Sequence, residues 1–204
     1  VADPQTGDVI RTTNVGVDGV RSVQFSPDGR RLASSGVVAR VWDAATGQQV
    51  ASVPAHGLVN NVDWSPDGTR LATASEDGTA RVSVIDDQGA REILAVSGRT
   101  SGLVGLAFSP DGTRLMTSGW SIDAVDIWNV SVSAGSELLN VAGVPFARGA
   151  AAFAATGQIV VGSDVGTASV WDVESGARVR DIGASSPLVG DTPHIETSAD
   201  GRSV

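Results

Sequence analysis

The sequence predicts an all-β fold of small four-stranded antiparallel sheets stacked around a common axis, and three observations lead there. The tetrapeptide Ser-Pro-Asp-Gly occurs three times, always after an aromatic (Phe25, Trp64, Phe108) and shortly before an Arg-Leu pair (Arg31-Leu32, Arg70-Leu71, Arg114-Leu115). Weaker copies follow at Phe153–Gly157 and Thr197–Gly201, so the steps from 25 to 64, 108, 153 and 197 are 39, 44, 45 and 44 residues. A second landmark repeats in phase: Trp42-Asp43, Trp128-Asn129 and Trp171-Asp172, with Ile85-Asp86 expected in the remaining slot. No stretch sustains an apolar period of 3.6 residues, so helix is expected to be nearly absent. A period of about 40–45 residues means one supersecondary unit used repeatedly.

The first unit shows what is repeated. Val20, Val23 and Phe25 form a first run, with Val23 and Phe25 alternating onto one face. Ser26-Pro27-Asp28-Gly29 is a turn with a mechanism, because proline presets one central angle and glycine supplies a positive φ. Arg31 to Ser35 is the second expected strand and Val38 to Asp43 the third, carrying Trp42. Ala44-Ala45-Thr46-Gly47 turns the chain into a fourth strand, Gln48 to Val53. The same order recurs over 58–96, 103–141 and 148–182, with partial units at 194–204 and 1–13.

A four-stranded sheet cannot bury both faces alone. Stacking successive sheets face to face about an axis solves this, which is the propeller arrangement. The expected core between blades is Val62, Trp64, Leu71, Leu106, Phe108, Leu115 and Trp171. Because the register runs through without a Pro/Ser linker, residues 1–204 read as a single domain with blades at 20–53, 58–96, 103–141 and 148–182.

This spacing of Ser-Pro-Asp-Gly, Leu-Ala-Ser/Thr and Trp-Asp resembles the WD-repeat β-propeller family over essentially the whole chain. The resemblance implies a hydrogen-bonded set in each blade: a His on the leading loop, a Ser or Thr on the second strand, an Asp in the next turn, and the Trp. The set is never complete here. His56, Ser75 and Asp77 occur together, but with Ile85 in place of the tryptophan, while the units holding Trp42, Trp128 and Trp171 have no matching His. His56, Asp77, Trp42, Trp128 and Trp171 are therefore expected to be structural. Four full units fall short of the seven common in the family, so the chain is expected to be a fragment of a larger propeller, with a five-bladed ring as the lesser alternative.

Composition narrows the function classes. The formal net charge is −9, which argues against a nucleic-acid partner, where a basic face is expected. All 14 basic residues are arginine, and with the richness in Ala, Val and Gly this reads as the codon signature of a GC-rich bacterial genome. There is no cysteine, hence no disulfide framework or thiolate metal site. No apolar run is long enough for a membrane-spanning helix, so no membrane partner is expected.

Candidate chemistry is sparse. His194, with Asp191 and Glu196 nearby, reads as a leading-loop residue rather than a metal ligand, and Asp86-Asp87 as solvated turn residues. Glycines at 102 and 105 lack the Lys-Ser/Thr ending of a phosphate loop. No catalytic residue and no cofactor is expected. The resemblance implies binding of a protein or peptide on the rim where leading loops and second-to-third-strand turns emerge. Trp120 in such a turn, Arg148, Arg99 and Asn60 are the expected contact residues. The expected function is a non-enzymatic interaction scaffold or sensor module, cytoplasmic, within a larger bacterial signalling protein. The alternative is a propeller that binds a small molecule or glycan, or an enzyme with an axial site.

Overall fold

The computed structural model describes residues 19–53, 57–97, 102–120, 124–131, 136–142, 151–154, 157–162 and 167–183. Among these there is strand, turn and bend, and no helix. The first sheet joins β1 (Val23–Phe25), β2 (Arg31–Ser34), β3 (Ala39–Asp43) and β4 (Gln49–Val53). The second joins β5 (Val59–Trp64), β6 (Arg70–Ser75), β7 (Thr79–Asp86) and β8 (Gly89–Ser97). The third holds β9 (Leu103–Phe108), β10 (Arg114–Gly119), β11 (Ala124–Asn129) and β12 (Ser136–Ala142). The fourth holds β13 (Ala151–Ala154), β14 (Gln158–Gly162), β15 (Thr167–Asp172) and β16 (Arg178–Gly183). Every sheet has its strands in chain order with antiparallel neighbours, which short turns alone can connect. The partial units expected at 1–13 and 194–204 lie outside the described residues.

The Ser-Pro-Asp-Gly turns owe their shape to side chains as well as to proline and glycine. In the first, Ser26 Oγ donates to Asp28 Oδ1 (2.6 Å) and accepts from the Arg31 amide (2.9 Å). The Arg30 amide donates to the same carboxylate at 3.0 Å. Gly29 takes φ of 69°, which an L side chain adopts only under strain. Ser65/Asp67 and Ser109/Asp111 repeat the pattern with Ser–Asp distances of 2.5 Å in both. These bonds, led by the one from serine, hold the carboxyls of Asp28, Asp67 and Asp111 below the usual range.

Three apolar clusters lie between successive sheets. Val41 and Val53 of the first sheet meet Val59, Val62, Trp64 and Leu71 of the second. Val82 and Leu94 of the second meet Leu103, Leu106, Phe108 and Leu115 of the third. Met116, Val125 and Ile127 of the third meet Phe153, Ile159 and Val161 of the fourth. Of the core expected from sequence, Trp171 is the exception, being only partly buried. It packs against the third cluster, and the Arg178 guanidinium also lies near its ring, 5.8 Å from the centroid. In the first sheet Val23 and Phe25 do share a face, and it is exposed at 58% and 46%.

One expected alignment is corrected by the strand register. Leu32 pairs with Trp42, Leu115 with Trp128 and Ile159 with Trp171, but the equivalent Leu71 pairs with Ser83, not Ile85. A β-bulge falls just before Trp42, Trp128 and Trp171, and in the second sheet it falls between Val82 and Ser83. The Ile85 amide bonds the Thr69 carbonyl, as Ala44 bonds Arg30 and Val130 bonds Thr113. Ile85 is thus equivalent to Ala44 and Val130, two residues beyond the tryptophan slot. Constant spacing of 43 misled because the span from the paired second-strand residue to this slot varies, being 10, 12, 13 and 12 residues in the four sheets in chain order.

Candidate interaction rim

The turns after the second strands, together with the loops leading into the blades, form one continuous rim across the first three sheets. The Gly36 carbonyl accepts the Val59 amide at 2.7 Å, tying the first blade's turn to the second blade's leading strand. The Glu76 amide donates to Leu58 (2.9 Å) and the Trp120 amide to Gly102 (3.3 Å). At Gly102, where φ is +105°, a Cβ would stand 3.2 Å from Trp120 Cδ1 and 3.6 Å from the Glu76 carbonyl oxygen. Glycine is required there because the backbone is left-handed and two blades converge on it. Trp120 is 56% exposed while lying against this glycine.

Polar side chains cross between the first two blades on the same rim. Arg21 Nη1 donates to Asn60 Oδ1 at 2.6 Å and lies 3.3 Å from Glu76 Oε1, both partners of this ion pair being nearly half exposed. Asn60 Nδ2 donates to the Leu103 carbonyl of the third blade at 2.8 Å. Its amide therefore links three blades and has a donor and an acceptor role already filled within the chain. Arg148, Arg99 and His56, as well as His194, lie outside the described residues. Trp120 and Asn60 are on the rim together, and Arg21, Glu76 and Val37 join them. The signal for Glu76 and Val37 was in the sequence: each stands where Trp120 does, five residues beyond Leu71 and Leu32. Val37 is 49% exposed. Arg21 carried no such signal, since only the fold brings it to Glu76.

Deeper along the first strands a polar ladder continues. Gln24 Nε2 donates to Asp63 Oδ1 (2.6 Å), and Gln24 Oε1 accepts the Trp64 amide (2.9 Å). Asp63 Oδ2 accepts the Phe108 amide of the third blade at 2.7 Å. Burial pushes the Asp63 carboxyl up to about 6 despite these donors. Ser22 Oγ donates to Asn61 Oδ1 at 3.0 Å. These groups satisfy one another and the backbone of the next blade, which makes them stitching between blades.

The expected structural residues fall into two kinds of network. Trp42 Nε1 donates to Ser34 Oγ and Trp128 Nε1 to Thr117 Oγ1, both at 2.9 Å, from third strand to second strand. Trp171 Nε1 instead bonds Ser169 Oγ on its own strand (2.8 Å), because the second-strand slot holds Val161. In the second blade, which has Ser83 rather than tryptophan in the third-strand slot, Asp77 accepts from Thr79 N (2.8 Å) and from Arg81 Nη1 (3.1 Å). Arg81, almost wholly buried, also bonds Thr79 Oγ1 and pairs with Glu92 at 3.3 Å. Burial works against the Asp77 charge, but these donors outweigh it and keep its carboxyl below the ordinary range. Among the described residues no group of three His, Asp or Glu side chains is placed to hold a metal ion.

Comparison with known proteins matches this architecture. The family described as WD domain, G-beta repeat matches residues 8–43, 47–82 and 91–124, together more than half of the chain. The second match takes in β4 of one sheet and β5, β6 and part of β7 of the next, so the sequence repeat straddles two blades. The chain is 31% identical to the transcriptional corepressor LEUNIG_HOMOLOG of Arabidopsis thaliana over 74% of its length, which is 19% of that protein. It is 28% identical to the small ribosomal subunit protein RACK1 of Caenorhabditis elegans, covering 61% of this chain and 41% of that one. It is also 28% identical to eukaryotic translation initiation factor 3 subunit I of Aspergillus fumigatus, covering 81% and 53%. The chain thus spans about half of these relatives' length at most. With four antiparallel four-stranded sheets, radial stitching and three matched repeats, this chain belongs to the WD-repeat family and folds as blades of a β-propeller.

Proposed function

We propose that the chain is a non-catalytic protein-interaction module whose docking surface is the rim from Val37 through Glu76 to Trp120. The observation that carries this reading is Trp120, an indole 56% exposed yet fixed against Gly102 at the junction of two blades. A large aromatic held in place but left in water loses little conformational freedom on binding and gains much burial, which suits an interface anchor. The relatives are by name a corepressor, a ribosomal-subunit protein and an initiation-factor subunit, and this supports a partner that is itself a protein. Against the small-molecule or glycan reading stands the engagement of the inner-strand polar groups, Gln24, Asn61 and Asp63, with one another and with backbone.

In its finer form the proposal makes this module the sensor or scaffold part of a larger cytoplasmic signalling protein of a GC-rich bacterium. The support is the exclusive use of arginine among 14 basic residues. Arg148 and Arg99, named from sequence for the same surface, remain part of the proposal. The test is a comparison of full-length native protein with its Trp120→Ala variant, folding being checked by circular dichroism. The partner that co-purifies with the native protein should be retained at least about tenfold less by the variant. Equal retention would overturn the reading.

A further inference from the structure

Glu76 and Trp120 form a pair whose chemistry is more specific than an apolar anchor. The Trp120 ring edge and the Glu76 main chain stand 3.2 and 3.6 Å from the same point beside Gly102, although they belong to different blades. Trp120 and Glu76 thus spring from backbone that meets at one glycine, and an exposed indole and a carboxylate rooted so close together suit a cation, since the ring face attracts positive charge and the acid pairs with it. Among the described residues Glu76 has one cationic partner, Arg21, at 3.3 Å in a pair nearly half exposed on each side. Pairs of that kind are weak and screened, so the carboxylate is available for exchange. Arg21 also keeps its bond to Asn60 at 2.6 Å, and it would retain that partner if Glu76 were taken. In the first blade the position equivalent to Glu76 and Trp120 is Val37, 49% exposed, so an apolar spot flanks the pair on the other side.

We propose that the rim recognises an extended peptide segment presenting a lysine or arginine to Glu76 and Trp120 and, beside it, an apolar side chain to Val37. The net charge of −9 adds long-range attraction for such a cationic segment. This rests on the rim being the docking surface, as argued above, and adds the chemistry of what docks.

The test uses capped synthetic peptides that place one leucine beside one lysine, with glycine spacers of different length, titrated against the whole chain by isothermal calorimetry. The lysine peptide that fits best should bind about tenfold tighter than its glutamate or norleucine counterpart. Glu76→Gln and Trp120→Ala should each weaken it about tenfold, whereas Arg21→Gln, by removing the competing cation, should tighten it about threefold. A purely structural Arg21 would give no gain. Raising salt should erase most of the lysine preference. Equal affinity for the lysine and glutamate peptides, binding indifferent to Glu76→Gln, or no binding by any peptide overturns the cationic chemistry. If Trp120→Ala still reduces retention of the native partner, the rim as docking surface survives that outcome, so the two failures are told apart.

Discussion

Arg70 of the second blade donates to the Val130 carbonyl of the third at 3.2 Å and to the Gly112 carbonyl at 2.8 Å. Its guanidinium also lies 5.3 Å from the centre of the Phe108 ring. Arg31, at the same place in the first blade, donates to the Ile85 carbonyl of the second at 3.0 Å. Val130 and Ile85 are equivalent positions, so the arginine after each of the first two turns clamps the following blade. Arg114 occupies the third such place, but among the described residues it shows no equivalent clamp, its charge instead helping the Ser175 hydrogen bond to lower the Asp172 carboxyl of the fourth blade. Arg114 also lines a cleft of about 120 Å³ with Pro110, Asp111, Phe153, Ala154 and Gly157.

The clamp makes stability unequal among three residues that look alike in sequence. Arg70→Ala removes two charged hydrogen bonds and a ring contact, and is expected to cost about 2–4 kcal/mol. Arg70→Lys should recover little, because an ammonium cannot span both carbonyls. Arg114→Ala should cost under about 0.5 kcal/mol. Urea unfolding of the three variants checks this, and equal losses at 70 and 114 would contradict the clamp.

The register of Leu71 with Ser83 leads to a second expectation. Ser83 Oγ is the one buried side-chain polar atom without a hydrogen-bond partner among the described residues, and Ser83 is 1% exposed. Removing an unsatisfied buried hydroxyl relieves its desolvation penalty, so Ser83→Ala should raise stability by about 1 kcal/mol. Ile85→Trp, which would restore the motif by spacing alone, should instead destabilise the chain. It places a large ring where Ile85, 4% exposed, already fills the space. Thermal unfolding of both variants decides which residue holds the tryptophan slot.

How far the fold was legible follows from where its information sits. The blades were legible because turn chemistry is local: Ser26, Pro27, Asp28 and Gly29 specify their own bonds within a few residues. The stitching was not, because Gln24 meets Asp63 and Arg31 meets Ile85 only after the sheets stack. No periodicity marks such pairs. For the rim, Trp120 was legible as a large apolar residue in a turn, and Asn60 was legible in position but not in its bridging of Arg21 to Leu103. The missing tryptophan was legible as missing, and misplaced by two residues.

The partner exchange at Trp171 can be tested by restoring the usual one. Ser169→Ala leaves the indole N–H without Ser169 Oγ and should cost about 1–2 kcal/mol. Val161, fully buried, stands where Ser34 and Thr117 accept from Trp42 and Trp128. Val161→Thr alone buries a hydroxyl that the indole does not need and should cost about 1 kcal/mol. Combined with Ser169→Ala it supplies the acceptor again, so the double variant should be more stable than the sum of the two single losses. A double-mutant cycle reads this coupling directly, and strict additivity would show that the two slots cannot substitute for each other.

Asp63 gives the chain a pH dependence of unusual sign for an aspartate. Burial raises its carboxyl from 3.8 to about 6, so the folded state holds this proton more tightly than the unfolded state does. The contribution is fully present below about pH 3.8 and is lost as pH rises through 6, by about 3 kcal/mol in all from the shift. The turn aspartates Asp28, Asp67 and Asp111 act in the opposite direction, since their lowered carboxyls add stability above pH 3.8 that is lost on acidification. Their effect is common to the native chain and an Asp63→Asn variant, so it cancels in the difference between the two. That difference should shift by about 2 kcal/mol between pH 4 and 7, in the direction that disfavours the native chain as pH rises. The amide introduced by Asp63→Asn would also compete with Gln24 Nε2 at one oxygen position, a constant loss that moves the whole curve without changing its slope. Denaturant unfolding across this range measures the slope. A flat difference would mean that the donors from Gln24, Trp64 and Phe108 compensate the burial of the carboxylate completely.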